Sequence, residues 1–349
     1  MLKKKFNKDC FLKAGQFWFV MSLFLCFQAR DTLTASEKNL PEIFVTVGLI
    51  WEGAHLRKAN LDAVEAFREK FPRIPFIQYL NPAYLTRNGI GDSDLKKHAE
   101  SIRSTILPHD IIGLHVHPWK SLVSKAGVPF RFGPTFWGYE PGELRCLQDC
   151  GHEVPLSAYK PYEIRMILKE SLRTLKKWNF NPPEVFMAGA GMASPQVLSE
   201  VKNLGFDFDF SPLSLKQMRG ELSDFPLENW ISHLWSSEQQ PGPVGYYYTE
   251  HGKLIQGVQN SFPSFHANVQ TLRAEFDSFK RVASRRGEGR WLFHISIYQE
   301  TFFEFEQSFS ELMNQLSEEE KQQQSFHWLS SPEFLRENMM LKPKSIASW

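Results

Sequence analysis

The chain has 349 residues, 42% of them hydrophobic and 23% charged, with a formal net charge of +1. That length can bury a large core, and the balanced charge removes any electrostatic case for nucleic acid or an anionic membrane surface as partner. Aromatic residues make up 14%, most of them expected in the core; composition alone does not separate core rings from rings that line a binding groove.

Residues 1–35 read as a signal peptide or an N-terminal anchor. Lys3, Lys4, Lys5 and Lys8 form a basic front, and Phe17 to Phe27 is apolar except for Ser22. Such a run suits a secretory core better than a spanning helix of about 20 residues. The expectation is export to the periplasm or the extracellular space, with membrane contact only through this segment. Residues 36–349 are then expected to form a single domain.

Ile43 to Ile50 is a continuous apolar and β-branched run, as in a strand covered on both faces. Trp51-Glu52-Gly53 ends it. Leu61, Val64, Phe67 and Phe71 have helical spacing, and Pro72 closes that helix. Ile74 to Leu80 is the next strand. Asn81-Pro82 turns the chain, and Asp92 or Ser93 can cap a helix running to about Leu107. Ile111 to His117 is a strand stopped by Pro118, and alternation puts His115 and His117 on one face.

From 120 to 160, Pro and Gly punctuate a long irregular loop placed to wall a site. Cys146 and Cys150 lie in it. They either pair in an oxidising compartment or, with His152, contribute to a metal site. Pro161 to Trp178 is a helix, and Glu184 to Ala188 a strand. Ser194-Pro195 starts a helix that Gly205 ends. Phe206 to Phe210 alternates Phe and Asp, so Asp207 and Asp209 share one face. A second irregular stretch covers 211–265. Asn268 to Ala283 reads as a helix, Trp291 to Ile297 as a strand holding His294, and Glu304 to Leu316 as a helix. Residues 317–324 look like a solvated polar run. Phe326 to Leu329 can form a last strand, and Ser331-Pro332 a last helix.

Strand and helix alternate, which favours an α/β fold with a parallel sheet, either open or closed as a barrel. Side chains at the carboxyl ends of the strands form the site in both. His115 and His117 occupy such an end and suit a divalent metal. Glu52 and Asp209 are the nearest acidic partners by topology. His294 is mid-strand, and His152 sits in the first long loop. There is no Gly-x-Ser-x-Gly elbow and no phosphate-binding loop of the P-loop kind. Gly189-Ala190-Gly191 matches only a fragment of a dinucleotide fingerprint.

Three segments resemble the polysaccharide deacetylases with the NodB-homology fold, in the same order along the chain. Residues 44–53 look like the first motif of that family. Gly113-Leu114-His115-Val116-His117-Pro118-Trp119 looks like the second. Phe186 to Met192, followed by Gly205 to Ser211, looks like the third. The resemblance implies a distorted (β/α) barrel and a divalent metal, zinc by preference, on His115, His117 and Glu52. It implies Glu52, Asp209 and His294 as catalytic groups, and Trp51, Trp119 and His152 as substrate-binding groups. The activity implied is hydrolytic removal of acyl groups, acetyl above all, from an envelope or cell-surface polysaccharide. The chain departs from the family pattern in lacking the first-motif aspartates, in carrying Met187 where the third motif has Arg, and in spacing its histidines closely. The alternative is therefore a catalytically inactive relative that binds glycan.

Overall fold

The computed structural model describes residues 41–133, 135, 149–211, 246–248, 254–257, 259–261, 268–287, 289–323 and 325–329. The expected targeting segment, Cys146, most of 211–265 and the expected last helix lie outside the described residues. No helix among the described residues is long and apolar enough to cross a membrane.

Six parallel strands form the centre, in the order β5 (Phe208–Asp209), β4 (Val185–Ala188), β3 (Ile111–Val116), β2 (Phe76–Leu80), β1 (Glu42–Ile50) and β9 (Arg290–Tyr298). The sheet curls into a half-barrel with helices outside, so the expected α/β distorted-barrel class is the one observed. β1 is the hub. It pairs with β9 along its full length, while β10 (Phe326–Trp328) and β2 share its other edge at Ile43–Val45 and Val47–Ile50. The short strands β6 (Tyr246–Tyr248), β7 (Ile255–Gly257) and β8 (Gln259–Ser261) extend the two ends of the sheet, β7 beside β5 and β8 beside β9.

Alternation along the strands divides the core in two. Phe44, Ile50, Ile77, Tyr79, Ile111, Val185, Met187, Phe208 and Phe210 pack together on the concave face. Ile43, Val45, Val47, Leu49, Ile112, Leu114 and Phe186 face the surrounding helices. Those helices are α1 (Lys58–Lys70), α2 (Asp92–Ser104), α3 (Lys120–Lys125), α4 (Pro161–Lys177), α5 (Pro195–Asn203), α6 (Val269–Arg286) and α7 (Phe302–Gln322). Their starts follow local chemistry. Ser194 Oγ accepts the Val197 N–H at 3.4 Å before Pro195, and Asn268 Oδ1 accepts the Thr271 N–H at 2.9 Å, so each satisfies a donor the first helical turn leaves open.

Three local expectations change. The stretch from Lys120 is not wholly irregular: α3 forms there because Asp149 accepts the Ser121 backbone N–H at 3.0 Å and its hydroxyl at 2.7 Å. Helix α2 has Gly91 as its N-cap, with no side-chain cap. The polar run at 317–324 is helical to Gln322, and Glu319 is buried within it, where Arg273 (2.6 Å) and Lys280 of α6 meet its carboxylate. Cys150 is disulfide-bonded, which removes it as a metal ligand; its partner lies outside the described residues.

Candidate metal centre at the carboxyl mouth of the barrel

Parallel register builds the site. Ile50 pairs with Tyr79 and Tyr298, Tyr79 with Gly113, and Gly113 with Val185. Two residues further on, the same row carries Glu52, Asn81, Glu300, His115 and Met187. Adjacent parallel strands lie about 4.8 Å apart, so a row of this kind crosses the mouth in a few steps and brings distant sequence segments into contact.

Glu52, His115 and His117 converge there, with one ligand atom of each within 4.8 Å of the others. Glu52 Oε2 lies 2.7 Å from His117 Nε2, and its Oε1 lies 3.5 Å from His115 Nε2. Both histidines are buried, and the Glu52 side chain is 21% exposed, open toward the mouth.

The far ring nitrogens fix the tautomers. His115 Nδ1 lies 3.1 Å from the Met187 carbonyl, and His117 Nδ1 lies 2.6 Å from the His152 carbonyl. A carbonyl only accepts, so each Nδ1 carries the proton and, in the neutral ring, each Nε2 turns a lone pair toward Glu52. Three acceptors that meet at one point need a positive charge between them. Either a proton or a metal cation meets that need, and two imidazoles with one carboxylate are a suitable donor set for a divalent ion.

Burial alone would raise the Glu52 carboxyl, but the His117 and His115 imidazoles outweigh it and hold Glu52 far below the ordinary carboxylate range. Burial pushes His115 down. Burial also pulls on His117, but the Glu52 carboxylate prevails and raises it.

Close packing holds His117. A Cβ on Gly189 would lie 2.5 Å from the Cε1 and Nδ1 of its ring. Gly53, at φ +86°, performs a similar service on the other wall, where a Cβ would come within 2.9 Å of Trp119 Nε1. That space lets the Trp119 indole N–H and the Asn81 amide both donate to the Glu52 carbonyl, each at 2.9 Å.

Trp119 and His152 stand beside the centre. Their rings stack at 5.1 Å, and both line a cavity of about 380 Å³ with Arg87, Phe130, Phe132 and Glu153. Trp51 does not reach this space. Next to Glu52 in the segment that continues β1, it faces the opposite side, fully buried under the helices, with its indole N–H on Gln78.

His294 and Asp209 also stand apart from the three-residue cluster. His294 pairs in register with Thr46, six residues before Glu52 on β1, or about 20 Å along a parallel strand. Its ring is fully buried among Thr46, Tyr79 and Ser296, and burial lowers its pKa to about 3. Asp209 alternates away from Phe208 and Phe210, and Ser211 donates to it through both backbone and hydroxyl.

Glu300 is the residue that sequence reasoning missed. Its carboxyl accepts the Glu52 backbone N–H at 3.1 Å and the Tyr84 hydroxyl. Burial and the Glu52 carboxylate push it up to about 8. A signal existed. Leu49-Ile50-Trp51-Glu52 and Ile297-Tyr298-Gln299-Glu300 each place an acid two residues beyond a strand end.

No protein-family model matches the chain, and no curated protein matches its sequence. Solved structures do match its fold. A protein assigned as a polysaccharide deacetylase from Mycobacterium smegmatis aligns with a TM-score of 0.50 and 10% identity, over 89% of this chain and 96% of that one. Puue allantoinase aligns with a TM-score of 0.49 and 11% identity, over 88% and 96%. The Xyl-CE4 domain of a multidomain xylanase from the hindgut metagenome of Trinervitermes trinervoides gives 0.41 and 7%, over 85% and 91%. The first of these likenesses gives the chain the fold of a polysaccharide deacetylase, at 10% identity in sequence.

Proposed function

We propose that this protein is a metal-dependent hydrolase that removes acyl groups, acetyl above all, from an envelope or cell-surface polysaccharide. The observation that carries the reading is the convergence of Glu52, His115 and His117, with both Nε2 lone pairs oriented by carbonyl contacts at Nδ1. A divalent ion held by these three, zinc by preference, would supply Lewis acidity toward an acyl carbonyl and acidify water beside it. The protein's own groups do the rest. Asn81 and Trp119 hold the Glu52 backbone, and Gly189 leaves the room that His117 occupies. The cavity walled by Trp119, His152, Phe130 and Phe132 gives a sugar ring aromatic faces to pack on.

Export belongs to the same reading. The basic, then apolar N-terminus suits a signal segment or anchor, and a disulfide at Cys150 suits an oxidising compartment.

A second reading keeps the cleft and drops the chemistry. It is favoured by Met187, which packs in the concave core beside His115 where the related motif has an Arg, and by the absence of an aspartate from the end of β1. One experiment separates the two. The purified protein is assayed for bound zinc and for acetate release from a panel of acetylated oligosaccharides. Zinc at one per chain, with acetate release lost in both His115→Ala and His117→Ala, supports the hydrolase. Glycan binding without acetate release, at full zinc loading, supports the binding protein. If zinc, nickel and cobalt all fail to bind, the metal centre is refuted.

A further inference from the structure

We infer that Glu300 is a positioning residue whose carboxyl, braced by Tyr84, holds the Glu52 backbone so that the Glu52 side chain meets both imidazoles. The inference rests on the metal-centre reading above and adds a residue to it.

Glu52 is pinned on both sides of its Cα. On one side its N–H donates to Glu300 Oε1 at 3.1 Å and Oε2 at 3.3 Å. On the other its carbonyl accepts from Asn81 and Trp119. A residue just past a strand end has no ladder to fix its direction, so these contacts do what the sheet no longer does. With the backbone held, the carboxylate reaches His117 at 2.7 Å and His115 at 3.5 Å.

Glu300 is itself braced. The Tyr84 side chain is buried and its hydroxyl donates to Glu300 Oε1. Burial and the Glu300 carboxyl push the Tyr84 phenol well above its ordinary value, so it remains a donor at any working pH. Asn60 of α1 donates to the Glu300 carbonyl and accepts the Phe303 N–H at 3.2 Å, which fixes the turn between β9 and α7. In either protonation state Glu300 keeps a lone pair for the Glu52 N–H.

Partners one step removed from a metal ligand usually change metal affinity about 10- to 100-fold. The test titrates Co2+ alone into the full chain, followed by visible absorption, and in parallel measures hydrogen exchange at the Glu52 amide in the metal-free protein. Glu300→Ala should weaken Co2+ at least tenfold and speed exchange at Glu52 at least tenfold. Tyr84→Phe, which removes only the brace, should shift both in the same direction by a smaller factor. Glu300→Gln keeps a carbonyl acceptor and should recover most of the exchange protection. Unchanged exchange at Glu52 in Glu300→Ala overturns the inference, whatever the metal does. Unchanged Co2+ affinity with faster exchange overturns it too, since the held geometry would then not serve the ligand. If the wild type takes up no Co2+, the metal centre falls; Glu300 as the holder of Glu52 is then decided by exchange alone.

Discussion

His294 offers a direct test of how the barrel interior is built. Its ring is fully buried, with Thr46 Oγ1 2.5 Å from Nδ1 and Ser296 Oγ 2.9 Å from Nε2. Hydroxyls donate or accept as required, so they suit a neutral imidazole of either tautomer. Burial takes the pKa from 6.5 to about 3 in the folded protein. Between those values the unfolded chain takes up a proton that the folded one refuses. The contribution is therefore complete above pH 6.5 and is lost progressively as pH falls toward 3. At pH 5 the loss is about 2 kcal/mol, at 1.36 kcal/mol per unit of pKa difference. His294→Gln removes the titrating group. Urea unfolding of both proteins from pH 7.5 to pH 5 should show the variant destabilised at pH 7.5, with that deficit shrinking by about 2 kcal/mol at pH 5. A deficit that stays constant across the range would refute the reasoning.

Other substitutions probe other links. Gly189→Ala puts a methyl group 2.5 Å from the His117 ring, so the ring must leave the His152 carbonyl; Co2+ affinity should fall about tenfold or more, and an unchanged affinity would mean that the ring has room to move. Asp110→Ala strips the partner from Arg68, whose side chain is 3% exposed, and also removes acceptors for the N–H groups of Phe76 and Leu107. Urea unfolding should show a loss of about 3–5 kcal/mol, and less than 1 kcal/mol would mean that water reaches Arg68. Ser194→Ala leaves the Val197 N–H without its cap, which should cost about 1 kcal/mol in the same assay.

The fold was largely legible because each long strand carries its own signal. Ile43 to Ile50 is a continuous apolar and β-branched run because helices and barrel interior cover its two faces, and from Trp291 to Ile297 β9 is apolar but for His294 and Ser296. The histidine pair was legible because period-two alternation is local: two residues apart on one strand means one face. The same rule, applied one residue on, separates Trp51 from Glu52, since neighbours on a strand face opposite sides. Glu319 was hidden for a related reason. The polar run from 317 looks solvated, yet a helix turn from Met313 and Leu316 returns Glu319 to the packed face, where two cations of α6 offset its charge.

Glu300 carries a signal at its own strand end, but its pairing with Glu52 was illegible for a different reason. Its partner lies 248 positions away, and nothing along β9 says which residue of β1 stands opposite. Register in a parallel sheet is set by which buried faces match, so one slipped residue would turn Glu300 toward the helices and Gln299 toward the mouth. Nine consecutive pairs between β1 and β9, from Glu42 with Arg290 to Ile50 with Tyr298, exclude that slip. The apolar length of β1 and β9 thus does more than fill a core. It sets the alignment that brings two carboxyl groups together at the mouth, one facing the imidazoles and the other holding it there.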